Sequence, residues 1–492
     1  MKQIVRYIAV GSLAISTLGS CKKDYLETAP TDQVDAGAAF KTTTNALASL
    51  NGIHRAMYVR YNSQGEYGQP AMMVNMDMLG EDLVMTELGN GWYNTTYRWI
   101  DHRNATGALP KYPYQFYYRL ISNANLIIAN IDGAVGPQSE KDMIKGQALA
   151  YRAWCHFNLV QLYGQRYRQG GGNSQPGVPL MLTPTKDGQP RASVEDIYTQ
   201  VNKDLNDAMA LLTASRPAKS HFNINIVKGV KARVALTQGD WANAAKFSAE
   251  AREGWQLMNG SELLDGFSSV NNKEWMWGLK QVEDQTTYFA AFHSYMSCNY
   301  NSTNIRTNPK AGNSLLYNAM SETDLRRAWF DPTGSAAAIT PPGGIRRPFM
   351  NQKYRLNAST VTSSTPGDVP LMRTAEMYLI EAEAKARAND FAGAQDALYT
   401  LMISRDPSYV KSDKTGEDLI AEIMQNRRVE LWGEGFRFLD LKRLNLPLNR
   451  NGANHKAALA LIFDVPAGDK MWEFLIPQDE INANKLVEQN PL

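Results

Sequence analysis

The chain of 492 residues carries 51 Lys+Arg against 49 Asp+Glu, 43% apolar residues and 3 Cys. That length and apolar fraction support a sizeable core, which excludes a disordered or collagen-like chain, and a mean hydropathy of -0.39 excludes a polytopic membrane protein. A formal charge of +2 provides no basic field for nucleic acid, and three cysteines cannot staple a fold this large.

Lys2 and Arg6 form a positive start, followed by an apolar run from Tyr7 to Leu18. The run is too short to span a bilayer and has the length of a signal-peptide core. Leu18-Gly19-Ser20-Cys21 then resembles a bacterial lipobox, in which the cysteine is acylated and becomes the new N-terminus. The expectation is a signal peptide over 1–20, a lipidated tether over 21–35 starting at Cys21, and one domain over 36–492. Acyl chains contribute about 0.8 kcal/mol per buried methylene, enough to hold a soluble domain on a membrane when Cys21 carries several. Removing 1–20 takes away Lys2 and Arg6 and no acid, so the remaining charges balance. Whether Cys155 and Cys298 form a bridge stays open at this stage.

Apolar residues recur at helical spacing along most of the chain. Residues 141–163 align Gly146, Ala150 and Ala153; residues 193–212 open on Ser193 with Glu195 and Asp196, a cap and an acidic first turn. Residues 226–254 read as a helix pair broken at Gln238-Gly239-Asp240, and 371–403 as a second pair broken at Asn389-Asp390. The two breaks overlay, Gly239-Asp240-Trp241-Ala242-Asn243-Ala244 on Asn389-Asp390-Phe391-Ala392-Gly393-Ala394. Gly or Asn at such a break suits a left-handed cap, and the small residues on the facing stripes predict tetratricopeptide-like hairpins. The pairs do not follow at a fixed period, so long insertions interrupt them. The fold class is therefore mainly α: a helical hairpin scaffold near 115–165, 193–254 and 371–443, with loop-rich insertions near 62–112 and 265–370 forming the ligand-binding portion.

Six histidines show no metal-ligand spacing, no phosphate-binding loop appears, and no GxSxG elbow exists. The sharpest charged constellation runs from Arg427 to Arg443. Glu430 and Glu434, one turn apart, suggest a catalytic carboxylate pair, but Arg427 and Arg437 flank them, and a structural ion network is the better reading; the two carboxylates of a glycoside hydrolase are not revealed by spacing alone.

The same segment resembles the C-terminal signature of the SusD/RagB family. Other anchors agree in order: Cys21 with Asp24-Tyr25-Leu26, Gly146 to Gly164, Ser193 to Tyr198, Met372 to Glu376 with Glu381 to Ala384, and Phe474 to Asn482 with Gln489-Asn490-Pro491. The resemblance implies a lipid-anchored protein on the exterior face of an outer membrane. It would bind oligosaccharides, or peptides in some members, and pass them to a SusC-like TonB-dependent transporter, without catalysis and without nucleic acid. It implies no cofactor, with a structural calcium held in some members. The alternatives kept open are a peptide binder, a glycoside hydrolase, and a scaffold that binds only a partner protein.

Sugar recognition needs flat apolar faces and fixed polar groups at the rim. Residues 91–118 hold nine aromatics, about three times the chain average of 10%. Tyr117, Tyr118, Ile121, Ala124, Asn125 and Ile128 have core spacing. Trp92, Tyr93, Tyr97 and Trp99 follow Gly89-Asn90-Gly91 and are expected to be exposed, with Asn75, Asp77 and Asn94 as polar contacts. A second zone contributes Tyr288, Tyr295 and Arg306, while Trp275 and Trp277 alternate as a packed strand.

Overall fold

A computed structural model describes residues 39–285, 289–336, 340–358, 361–362 and 364–492. The expected signal peptide, the tether with Cys21, and Tyr288 lie outside the described residues. Helix α1 (Thr43–Ala56) starts where the Thr42 side chain accepts from the Asn45 N–H. Helix α2 (Gln69–Leu79) follows, with Pro70 in its first turn, where a missing N–H costs nothing. Ten of the eleven residues of α2 are buried. It therefore lacks the one-sided stripe that marks a surface helix, and it crosses the stretch 62–112 whose remaining segments are largely turns and loops.

The first hairpin pairs α3 (Ala108–Asn130) with α4 (Gln138–Tyr163), and α4 packs in turn on α5 (Val194–Leu211). Ser193 caps α5 as expected, accepting from the Asp196 N–H at 3.0 Å. Helices α6 (Ile224–Gln238) and α7 (Trp241–Ala251) form the next hairpin. Between them Gly239 sits at φ 72°, and Asp240 Oδ1 accepts from the Asn243 N–H at 3.2 Å.

After strand β1 (Leu83–Met85), β2 (Trp275–Leu279), β3 (Lys310–Gly312), β4 (Phe330–Asp331), β5 (Met350–Asn351) and β6 (Val369–Arg373) come in chain order. Strands β1, β3, β5 and β4 make one small antiparallel sheet in that order, with Met85 opposite Lys310 and Ala311 opposite Met350. Strands β2 and β6 pair antiparallel, Trp275 opposite Arg373, and bury both Trp275 and Trp277 as expected.

Helix α8 (Thr374–Arg387) turns into α9 (Phe391–Met402) with the geometry of the earlier hairpin. Asn389 takes φ 65° where Gly239 stood, and Asp390 Oδ1 accepts from the Gly393 N–H at 3.0 Å. Asp240 and Asp390 share nearly the same backbone angles, φ/ψ -82°/78° and -83°/71°. Ala375, Leu379, Ala382 and Ala386 face Ala394, Ala397, Leu398 and Leu401, and α10 (Gly416–Glu430) closes that core with Leu419 and Ile423. Helix α11 (Arg437–Arg443) follows. The hairpin scaffold is thus present. Cys155 and Cys298 are separate buried thiols. No helix among the described residues is long and apolar enough to cross a membrane.

Candidate functional site

A cavity of about 330 Å³ opens between four segments: the Ser63–Glu66 turn, Asn75 on α2, the 90–93 loop with the short helix Asn94–Tyr97 after it, and the first turns of α3 with Asp101 before them. The loop is shaped by glycine. Gly89 sits at φ 54°, and a Cβ there would stand 2.8 Å from Asn308 Cβ, so only glycine fits without displacement. Tyr93 then takes φ 64°, and Trp99 φ 61°. Left-handed backbone at a bulky aromatic costs about 1–3 kcal/mol and persists only where the surroundings enforce it, which is common at ligand sites.

Packing behind the loop is aromatic. Tyr67 stacks on Tyr295 with centroids 5.6 Å apart and planes 9° apart, and Tyr93 meets Tyr295 edge-on at 5.1 Å. The Tyr67 and Tyr93 hydroxyls are 2.5 Å apart. Burial pushes both phenols well above their ordinary range, so they stay protonated at neutral pH. Trp92 stands edge-on to Tyr295 at 6.4 Å and is half-buried, leaving part of its surface to the cavity. A partly exposed indole set against Tyr295, itself held by Tyr67 and Tyr93, is an apolar platform next to polar groups.

The expected site residues divide. Trp92, Tyr93 and Asn75 line the cavity. Asn75 already has partners: Nδ2 donates to the Ala71 carbonyl at 2.8 Å, and Oδ1 accepts from Thr96 Oγ1 at 3.1 Å. It therefore anchors the loop to α2. Tyr295 is 1% exposed and acts as the brace, its hydroxyl donating to the Gln64 carbonyl at 3.4 Å. Asn94 leaves Oδ1 buried with no partner. Arg306 is half-buried and bonds Asn301 Oδ1 and Thr303 Oγ1.

The expected exposure of Tyr93, Tyr97 and Trp99 is corrected: all three are buried. Trp99 donates Nε1–H to the Leu79 carbonyl at 3.0 Å and meets Trp472 edge-on at 5.0 Å. Tyr97 lies under the Arg450 guanidinium at 4.5 Å with its hydroxyl on His455 Nδ1. Asp77, 3% exposed, accepts from the Gly435 N–H at 2.9 Å and ties α2 to the turn before α11. Burial pushes its carboxyl well above the usual range. Glu66, Tyr67, Asp101 and Tyr112 belong to the site or its brace and were not singled out from sequence. The turn-forming run Asn62-Ser63-Gln64-Gly65 beside Tyr67 was the signal for the first two.

Glu430 and Glu434 sit elsewhere, in a buried network with partners other than the expected ones. Glu430 bonds Arg373 at 2.9 Å, Arg405 at 3.0 Å and Arg326 at 3.2 Å; Glu434 bonds Arg373 at 2.6 Å and Lys353 at 2.7 Å. Arg427 and Arg437 turn instead to Asp440 and Glu81. Burial raises both glutamates, but the facing guanidiniums and the Lys353 ammonium outweigh it and hold them below the usual carboxylate range. A glycosidase general acid needs the opposite shift. Among the described residues no group of three His, Cys, Asp or Glu side chains is placed to hold a metal ion.

Two family models match in tandem: "Starch-binding associating with outer membrane" over residues 24–236, and "SusD family" over 274–492. The SusD-like protein P2 of Formosa agariphila is 22% identical, over 96% of this chain and 97% of its own. The SusD-like carbohydrate binding protein of Bacteroides vulgatus superposes with a TM-score of 0.80 at 26% identity, covering 91% of this chain and 98% of its own. A laminarin binding SusD-like protein superposes with a TM-score of 0.70 at 20% identity, covering 92% and 100%.

Proposed function

The chain belongs to the SusD/RagB family, a carbohydrate-binding family, and from that premise we propose that it captures oligosaccharides at the Trp92–Tyr93 cavity. It holds them for a partner TonB-dependent transporter of the SusC type, anchored to the outer face of the membrane by an acylated Cys21. The observation that carries this reading is the half-buried Trp92 platform, set against Tyr295, which Tyr67 and Tyr93 hold in turn, beside a cavity of about 330 Å³. An indole face covers the C–H face of a pyranose, and fixed polar groups around it orient the ring hydroxyls. The role is binding without bond cleavage. The Glu430–Glu434 pair is neutralised by cations and serves stability.

Calorimetric titration of the full-length chain in mild detergent with glycan and peptide panels tests the first part. Saturable glycan binding that Trp92→Ala abolishes, with the melting temperature retained, supports it; glycan turnover abolished by Glu430→Gln refutes it. Radiolabelled palmitate incorporated by the wild type and lost in Cys21→Ser tests the anchor, and co-purification with a β-barrel transporter tests the partner.

A further inference from the structure

The cavity is charged with one sign only. Glu66 and Asp101 are its charged lining residues, and no Lys or Arg lines it among the described residues. The internal residues outside the description, Thr286 to Tyr288, Ala337 to Ile339, Ser359, Thr360 and Ser363, carry no charge either. Beyond the lining, Lys111 forms an exposed pair with Asp479 at 2.6 Å and also feels the charge of Glu66, and the Arg119 guanidinium lies over the Tyr61 ring at 4.0 Å.

Both carboxylates are held in place. Glu66 Oε2 accepts from the Asn62 and Ser63 N–H groups at 3.0 and 3.1 Å, which pins it to its own turn. Asp101 starts the short Asp101–Arg103 helical turn, and a Cβ on Gly107 would come within 2.4 Å of its Oδ1, so the chain closes against it. Neither can easily swing away from a ligand. Fixed acceptors of this kind take hydrogen bonds from hydroxyl donors, and O–H···O⁻ bonds are among the stronger ones. They repel a second carboxylate or a sulfate placed in the same partly desolvated space.

We infer that this site, read as a glycan site, selects uncharged oligosaccharides and rejects uronate-bearing or sulfated ones, with Glu66 and Asp101 as the specificity-determining residues. The inference rests on the glycan-capture reading and goes beyond it by naming the charge class of the cargo.

The test is titration of the full-length chain in mild detergent with uncharged hexasaccharides of gluco, manno, xylo and galacto configuration. Galacturonate and mannuronate hexamers and a tri-lysine peptide complete the panel. At low salt, at least one uncharged hexamer binds about tenfold or more tighter than either acidic hexamer, and added salt narrows the gap by screening. The double variant Glu66→Gln/Asp101→Asn brings the ratio down to about threefold or less. An acidic hexamer binding as tightly as the best uncharged one overturns the inference while leaving glycan capture standing. So does a ratio that the double variant leaves unmoved. Binding of tri-lysine with no response to any sugar overturns glycan capture itself, and the inference with it.

Discussion

Replacing Arg373 with Met is the sharpest test of what the buried charges around Glu430 do. Arg373 is fully buried, and its guanidinium reaches Glu274 at 2.5 Å, Glu430 at 2.9 Å and Glu434 at 2.6 Å. It also donates to the Glu430 carbonyl at 2.8 Å. The local cluster balances Glu274, Glu430, Glu434 and Asp324 against Arg326, Arg373, Arg405 and Lys353. Met fills the space of the aliphatic stem but leaves one negative charge in excess, while the Glu430 carbonyl keeps the Lys353 ammonium at 2.9 Å. Glu274 and Glu430 keep Arg405, and Glu434 keeps Lys353, so no carboxylate is stranded entirely. Breaking a buried pair costs about 3–5 kcal/mol, against a total stability of about 5–15 kcal/mol.

The pH dependence separates this from a simple packing loss. In the wild type the Glu430 and Glu434 pKa values are depressed, so their contribution is fully present above the ordinary glutamate value of 4.5 and disappears as pH falls through the folded-state values. Without Arg373, burial dominates and drives protonation at milder acidity, which relieves the excess charge. The deficit of Arg373→Met relative to wild type is therefore largest at neutral pH and shrinks toward pH 4.5. Urea unfolding followed by tryptophan fluorescence across that range reads it directly. A deficit below about 1 kcal/mol at neutral pH, or one that stays constant with pH, refutes the reasoning.

Trp99→Ala opens a cavity against Trp472 and strands the Leu79 carbonyl, so it lowers stability by about 3–5 kcal/mol in a thermal melt, whereas Trp92→Ala weakens glycan binding about tenfold or more and leaves the melt nearly unchanged. Asp390→Ala removes the cap of α9 and costs about 0.5–2 kcal/mol, and Asp240→Ala at the matching position costs a similar amount; chemical denaturation of the two variants side by side checks both. All six histidines have pKa values depressed by burial, His102 and His156 to about 3, His221, His293 and His455 to about 4, and His54 well below its usual value. Each stays neutral in the folded chain while the unfolded chain takes a proton. Stability is full above the unfolded value of 6.5 and falls between there and about pH 4, by up to about 1.4 kcal/mol per histidine per unit. A melting temperature constant over that interval contradicts the buried-neutral assignment.

The amino-acid sequence by itself determined what is short-range. A Gly or Asn at a left-handed cap, an Asp three residues before its N–H donor, and alanines four apart are all read within one or two turns. The two matching hairpins accordingly appear where the pattern placed them. Only tertiary structure decided the rest. Glu430 is one turn from Arg427, yet its partners come from Arg326, Arg373 and Arg405, because helix geometry turns Arg427 toward Asp440 while the Leu325–Trp329 turn, β6 and the segment after α9 bring the others in. Tyr97 and Trp99 sit in the same glycine-led run as Trp92, yet they are buried by Arg450, His455 and Trp472, more than 350 positions away. Helix α2 showed no stripe, because neighbours cover it on nearly every side. A local pattern records which side chains can share a face. Which faces end up covered depends on segments that meet only when the whole chain has folded.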